Sequence, residues 1–201
     1  MQSVYNFVVT PIGQRYNNVK KIGDKNLLLN TEMSNHQYVN RLGKVIACPK
    51  NIETDIKPGD NVIVHHNVFR RFYDIRGKEK NSSSYFTEDK YFCSDDQVFL
   101  YQRNGEWLAP NNYCFVQPIE AKKNLKNNIE EPLVGIMRYS NKEFINMGLT
   151  NNTIVGFAPS SEYEFIIDKQ RLYRVFSHQI TIKYGAKRNE KAYNPSWAQS
   201  S

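Results

Sequence analysis

The sequence lacks what would make a membrane span, a disulfide framework or a helical bundle. Its longest apolar runs are a few residues, where a bilayer-crossing helix needs roughly 20. The opening "MQSVYNFVVT" has no basic stretch leading into a long apolar one, so no secretory signal is expected. Cysteine is scarce: Cys48, Cys93 and Cys114 are odd in number and far apart. They read as reduced thiols of a cytoplasmic protein rather than as disulfides or zinc ligands. No window holds a 3.6-residue apolar period between caps, and only "NKEFINMGL" offers a helical turn. There is no glycine-rich phosphate loop, since "GDKN" and "GLTNN" are single-glycine turns, and no G-x-S-x-G elbow. We therefore expect no enzyme, no cofactor and no membrane partner.

What is present is β pattern. The 201 residues are 40% hydrophobic and 13% aromatic, enough for one large β domain or two of about 100 residues. "YNFVVTPI" (5–12), "GKVIACP" (43–49), "DNVIVHHNVF" (60–69), "KYFC" (90–93) and "QVFLYQ" (97–102) are short Val-, Ile-, Phe- and Tyr-rich runs. Gly, Pro, Asn or Asp bounds each one, as expected of strands. The runs recur in order. "NFVVTPI" returns as "CFVQPI" (114–119) and "RLGKVIACP" as "PLVGIMRYS" (132–140). "IKPGDNVIVHHNVFRRFYDI" returns as "GLTNNTIVGFAPSSEYEFII" (148–167), and "YFCSDDQVFLY" as "LYRVFSHQITIKY" (172–184). Four matches in one order predict two similar β modules, 1–111 and 112–185, followed by a tail, 186–201. The first carries a long loop, 13–40, holding Ile22 and the triplet Leu27, Leu28, Leu29; its counterpart "EAKKNLKNNIEE" (120–131) is shorter. A loop that long inside a compact module is functional or disordered.

These features resemble the chaperonin-10 family, the co-chaperonins similar to bacterial GroES. The resemblance lies in a Val-rich first strand, a long loop with a hydrophobic tripeptide, "RLGKVIA", "IKPGDNVIV" and "SDDQVFLY", in that order. It covers roughly residues 6–102 and, more weakly, 114–184. It implies an all-β fold of two GroES-like small β-barrel modules in tandem, the second reduced. It also implies a co-chaperonin that caps a chaperonin ring and assists ATP-dependent folding, itself a homo-oligomeric ring without nucleotide. Leu27, Leu28, Leu29 and Ile22 would then be the chaperonin-binding anchors, with residues 16–35 flexible around them. Three features depart from the family. A single glycine precedes the leucines, residues 65–89 form a longer and more charged excursion, and "KRNEKAYNPSWAQSS" has no counterpart. The Asn-rich, insertion-bearing character is closer to the divergent bacteriophage members.

Other residues carry rival readings. Pro58, Gly59 and Asp60 make a turn for a purely physical reason: Pro fixes φ, Gly accepts φ above zero, and Asp bonds nearby backbone. His65 and His66, adjacent on a predicted strand, point to opposite faces and fit no metal spacing. Glu162 and Glu164 read as surface charge on one strand face. The leucine segment reads either as a partner-binding loop or as a strand, "KNLLLNT", packed on the barrel. Trp197 packs back on its own module or inserts into a neighbour. Net charge is +7, yet acids interrupt both basic groups, "RRFYDIRGKEK" and "YGAKRNEK". That favours a solvated surface over a nucleic-acid footprint. A nucleic-acid-binding barrel would use Phe69, Phe72 and Tyr73 beside Arg70 and Arg71. A phage virion or assembly protein reusing the barrel for oligomer contacts is the other rival.

Overall fold

The computed structural model describes residues 2–16, 19–28, 38–110, 112–121, 129–185 and 190–199. The protein is all-β, built of antiparallel sheets with two short helices among the described residues. It divides into two compact units, Met1–Glu106 and Trp107–Ser201, a few residues ahead of the boundary read from the sequence.

The first unit runs β1 (Phe7–Pro11), β2 (Val19–Ile22), β3 (Lys25–Leu28), β4 (Leu42–Ala47), β5 (Asn61–Val64) and β6 (Arg71–Tyr73). Then come β7 (Glu79–Asn81), β8 (Tyr85–Thr87), β9 (Lys90–Cys93), β10 (Val98–Arg103) and β11 (Glu106–Leu108), the strand in which the division falls. Seven of these form one sheet in the order β11-β10-β5-β4-β1-β9-β8. β4 shows why it sits inside that sheet: Gly43, Val45 and Ala47 are buried while Lys44 and Ile46 are exposed, the period of two of a half-buried strand. Phe7, Val9, Val45, Val62, Val64, Phe69 and Leu100 are all but fully buried and supply the core.

The second unit runs β12 (Tyr113–Glu120), β13 (Glu130–Tyr139), helix α1 (Lys142–Asn146), β14 (Ile154–Phe157), β15 (Tyr163–Ile167), β16 (Gln170–Phe176), β17 (Ile180–Lys183) and helix α2 (Ser196–Gln199). Its sheet order is β15-β16-β12-β13-β14-β17. α1 is the one helical turn the sequence offered. The Asn141 side chain caps it by accepting from the Phe144 amide at 2.8 Å. Cys114, Val116, Met137, Phe144, Val155, Phe157 and Val175 form its core.

The two units share one pairing scheme. β1 pairs with β4 and β9 as β12 pairs with β13 and β16. β5 lies between β4 and β10 as β14 lies between β13 and β17. A register shift falls after Val8 in one unit and after Phe115 in the other. A single 3-10 turn, Asp95–Gln97 or Ser177–Gln179, precedes the last strand of each scheme. Pro11 opposes Gly43, and Pro118 opposes Gly135. A Cβ on Gly43 would come within 3.1 Å of the Thr10 carbonyl oxygen, and one on Gly135 within 2.9 Å of that of Gln117. A side chain at Gly135 would force the backbone to shift, and one at Gly43 would crowd the Thr10 carbonyl and the Phe69 ring.

The repeat read from sequence needs one correction. The aromatic-rich strand "EYEFII" was matched to "FRRFYDI", but β15 pairs with β16 as β8 pairs with β9. Its counterpart is therefore β8. β6 and β7 pair only with each other and belong to an insertion, residues 65–84, where the second unit has residues 158–162. β2 and β3 likewise form a separate two-stranded ribbon within residues 12–41.

Candidate functional site

Both insertions belong to the first unit, and their roots are bonded together. Tyr16 bridges to Val39 and the Asn40 amide donates to the Arg15 carbonyl at 2.9 Å, so the 17–38 excursion leaves and returns at one point. The Asn40 side-chain amide donates to the carbonyls of Ile12 and Gln14, each at 2.8 Å. From this neck the Arg15 guanidinium donates to the Phe69 carbonyl at 2.8 and 3.0 Å, the Arg70 carbonyl at 3.2 Å and the Asn81 side chain at 2.8 Å. The Arg71 amide donates to the Tyr16 hydroxyl at 2.6 Å. Arg15 also lies 5.0 Å from the centre of the Tyr91 ring, and burial pulls its guanidinium below the ordinary arginine value. The planar fork makes four hydrogen bonds to three separate acceptors here, one more than the three donors of a lysine could make.

Above the neck stands the β2–β3 ribbon, turned by Gly23-Asp24. Lys20 opposes Leu27 and Ile22 opposes Lys25, so Ile22 and Leu27 fall on one face of the ribbon. Both are at least half exposed, at 57% and 50%. That face of the ribbon thus places two large apolar residues beside Lys20 and Lys25. "KNLLLNT" is thus a strand in part, Lys25–Leu28, and among the described residues it pairs with β2 alone and does not join the unit's main sheet. Leu28 ends β3 opposite Val19; Leu29 lies outside the described residues.

The second insertion is the β6–β7 hairpin. Phe72, Tyr73 and Ile75 are exposed at 40%, 57% and 102%, whereas Phe69 is fully buried and belongs to the core. The aromatic set named for nucleic-acid binding is therefore split between tip and core.

At the Pro58-Gly59-Asp60 turn, Gly59 has φ of +97° and its amide donates to the Val45 carbonyl at 2.8 Å. Asp60 is buried; its Oδ2 accepts from the Lys57 amide at 2.8 Å and from Arg103 at 2.6 Å. That charged hydrogen bond raises Arg103 above its ordinary value. In the second unit Asn152, φ +68°, takes the place of Gly59, and its amide donates to the Met137 carbonyl at 2.7 Å. Asparagine tolerates the left-handed region that this turn needs.

His65 and His66 do not lie on a strand, because β5 stops at Val64. Their rings stack on each other at 4.2 Å, and His65 Nδ1 accepts from the Asn67 amide at 3.1 Å. Among the described residues, no group of three or more His, Cys, Asp or Glu side chains could hold a metal ion. No helix of the described residues is long and apolar enough to cross a membrane.

The second unit carries a polar cluster that sequence reading missed. Arg171 donates to Glu130 at 2.5 Å and to Glu164 at 2.6 Å, and the Tyr173 hydroxyl donates to Glu130 at 2.7 Å. Burial and that bond push the Tyr173 phenol up. Glu130 and Glu162 line a cleft of about 430 Å³ with Leu133, Phe157 and Tyr173. The tail packs on its own unit: Ala192 bridges to Ile119, the Asn194 side chain accepts from the Arg171 amide at 3.0 Å, and Trp197 sits 5.8 Å from the Arg171 guanidinium.

No signal within a short window could have found the neck, since Arg15 meets partners more than fifty residues away. No family model matches the chain, and no curated protein matches it.

Proposed function

We propose that the protein is a co-chaperonin of the chaperonin-10 type, two GroES-like modules in tandem, that docks on a chaperonin ring through the β2–β3 ribbon. The observation that carries this reading is the ribbon itself, with Ile22 and Leu27 exposed on one face above a pinned neck. A ribbon with exposed apolar side chains docks by filling a groove with alternate side chains. One copy binds weakly, and several copies on a ring bind jointly with far greater affinity. The family's order of motifs supports the same reading, as does the repeated pairing scheme of the two units. Neither nucleotide nor metal is needed by the protein, because the partner's ATP cycle drives the reaction.

Size-exclusion chromatography with a bacterial chaperonin, with and without ADP, tests this. The expected result is nucleotide-dependent co-elution, lost in the Ile22→Ser/Leu27→Ser variant. No co-elution of the unaltered protein with any of several chaperonins would sink the reading. The rival, a phage virion or assembly protein, draws on the second unit. There edge strand β17 leaves Ile182 half exposed and no ribbon like β2–β3 occurs among the described residues.

A further inference from the structure

The β6–β7 hairpin has no part in the reading above, yet it shares a neck with the ribbon that does. Its chemistry is also one-sided. Residues 70–81 hold Arg70, Arg71, Arg76, Lys78 and Lys80 against Asp74 and Glu79, and both acids are already engaged. Asp74 Oδ1 accepts from the backbone amides of Arg76 and Lys78, each at 2.9 Å, and Glu79 pairs with Arg71 at 2.8 Å. Arg76, Lys78 and Lys80 are exposed and make no ion pair among the described residues. Beside them stand Phe72, Tyr73 and the fully exposed Ile75. A cationic tip with apolar side chains fits a partner surface that is acidic with apolar gaps.

We propose that the β6–β7 tip is a second, electrostatic contact to an acidic surface of the same protein that takes the β2–β3 ribbon; this rests on the reading above. The shared root supports one partner for both: Arg15 and Tyr16, at the base of the ribbon, are hydrogen-bonded to Phe69, Arg70, Arg71 and Asn81 at the base of the hairpin. The ribbon then holds the partner by apolar burial, while the tip speeds and orients its approach.

Association rates with a chaperonin ring in ADP, measured at low and at high ionic strength, test this. The variants are Arg76→Glu/Lys78→Glu and Ile22→Ser/Leu27→Ser. Neither exposed pair contributes side-chain packing to the core, and the amides bonded to Asp74 remain. Charge reversal is expected to slow association about tenfold at low ionic strength. The difference should vanish near 1 M salt, where the screening length is about 3 Å. Equal rates for charge-reversed and unaltered protein at low ionic strength overturn the inference; loss of binding in Ile22→Ser/Leu27→Ser would still uphold the ribbon. Failure of the unaltered protein to bind the ring removes both. Capture of a single-stranded oligonucleotide by the tip, lost on charge reversal while ring binding is unchanged, also overturns it.

Discussion

Asp60 closes its own turn on the Lys57 amide and holds Arg103 from the far end of β10. Removing the buried carboxylate takes the acceptor from the Lys57 amide and leaves Arg103 only the Asp55 carbonyl, to which its Nη2 donates at 2.6 Å. Asp60→Ala should therefore cost about 2–4 kcal/mol in urea unfolding. A loss below about 0.5 kcal/mol would show that water replaces the carboxylate. The turn was legible in the sequence because Pro, Gly and Asp act on their own neighbours. The ion pair was not, since Arg103 stands 43 residues away. Thiol chemistry belongs to the same scale. Burial pushes Cys114 up to about 12 and Cys93 further still, so neither holds thiolate at neutral pH. Cys48 is only partly buried. Ellman's reagent should modify one thiol in the native protein and three in denaturant; rapid native modification of all three would contradict this burial.

At the scale of the element, the β2–β3 ribbon was half visible. Three consecutive leucines in a polar loop marked the place, and Gly23-Asp24 is a two-residue hairpin connection. The partner strand was hidden because "VKKI" alternates too weakly to be read as one. The β6–β7 hairpin was visible as apolar pattern but assigned to the wrong repeat, since pairing partners, not composition, distinguish β6 from β8. Both ends of the 17–38 excursion meet at the Tyr16–Val39 bridge, and loop length changes stability only slowly. Replacing residues 17–38 with a short Gly-Asn turn should shift the melting temperature by only a few degrees, a change of about 1 kcal/mol, while abolishing ring binding. Collapse of the fold on deletion would show that the excursion is part of the core.

For the whole chain, the all-β class was readable from short bounded strands, and the two-unit arrangement from four matches in sequence order. The sheet order was not, because strand neighbours such as β1 and β9 are set by long-range register rather than by local pattern. Each unit has its own core. Residues 107–201 expressed alone should unfold cooperatively, and Met137→Ala in that fragment should cost about 2–5 kcal/mol. A fragment lacking a cooperative transition would show that the second unit depends on the first.

The neck at Arg15, Tyr16, Val39 and Asn40 has a consequence for how such a chain changes over generations. Its bonds are made largely by backbone groups and by residues outside the excursion, so substitutions in the β2–β3 ribbon leave them in place. A lineage can therefore exchange the exposed pair at Ile22 and Leu27 for another with the neck beneath inherited unaltered. If that pair is the contact proposed above, recognition and folding are separately heritable traits of one chain.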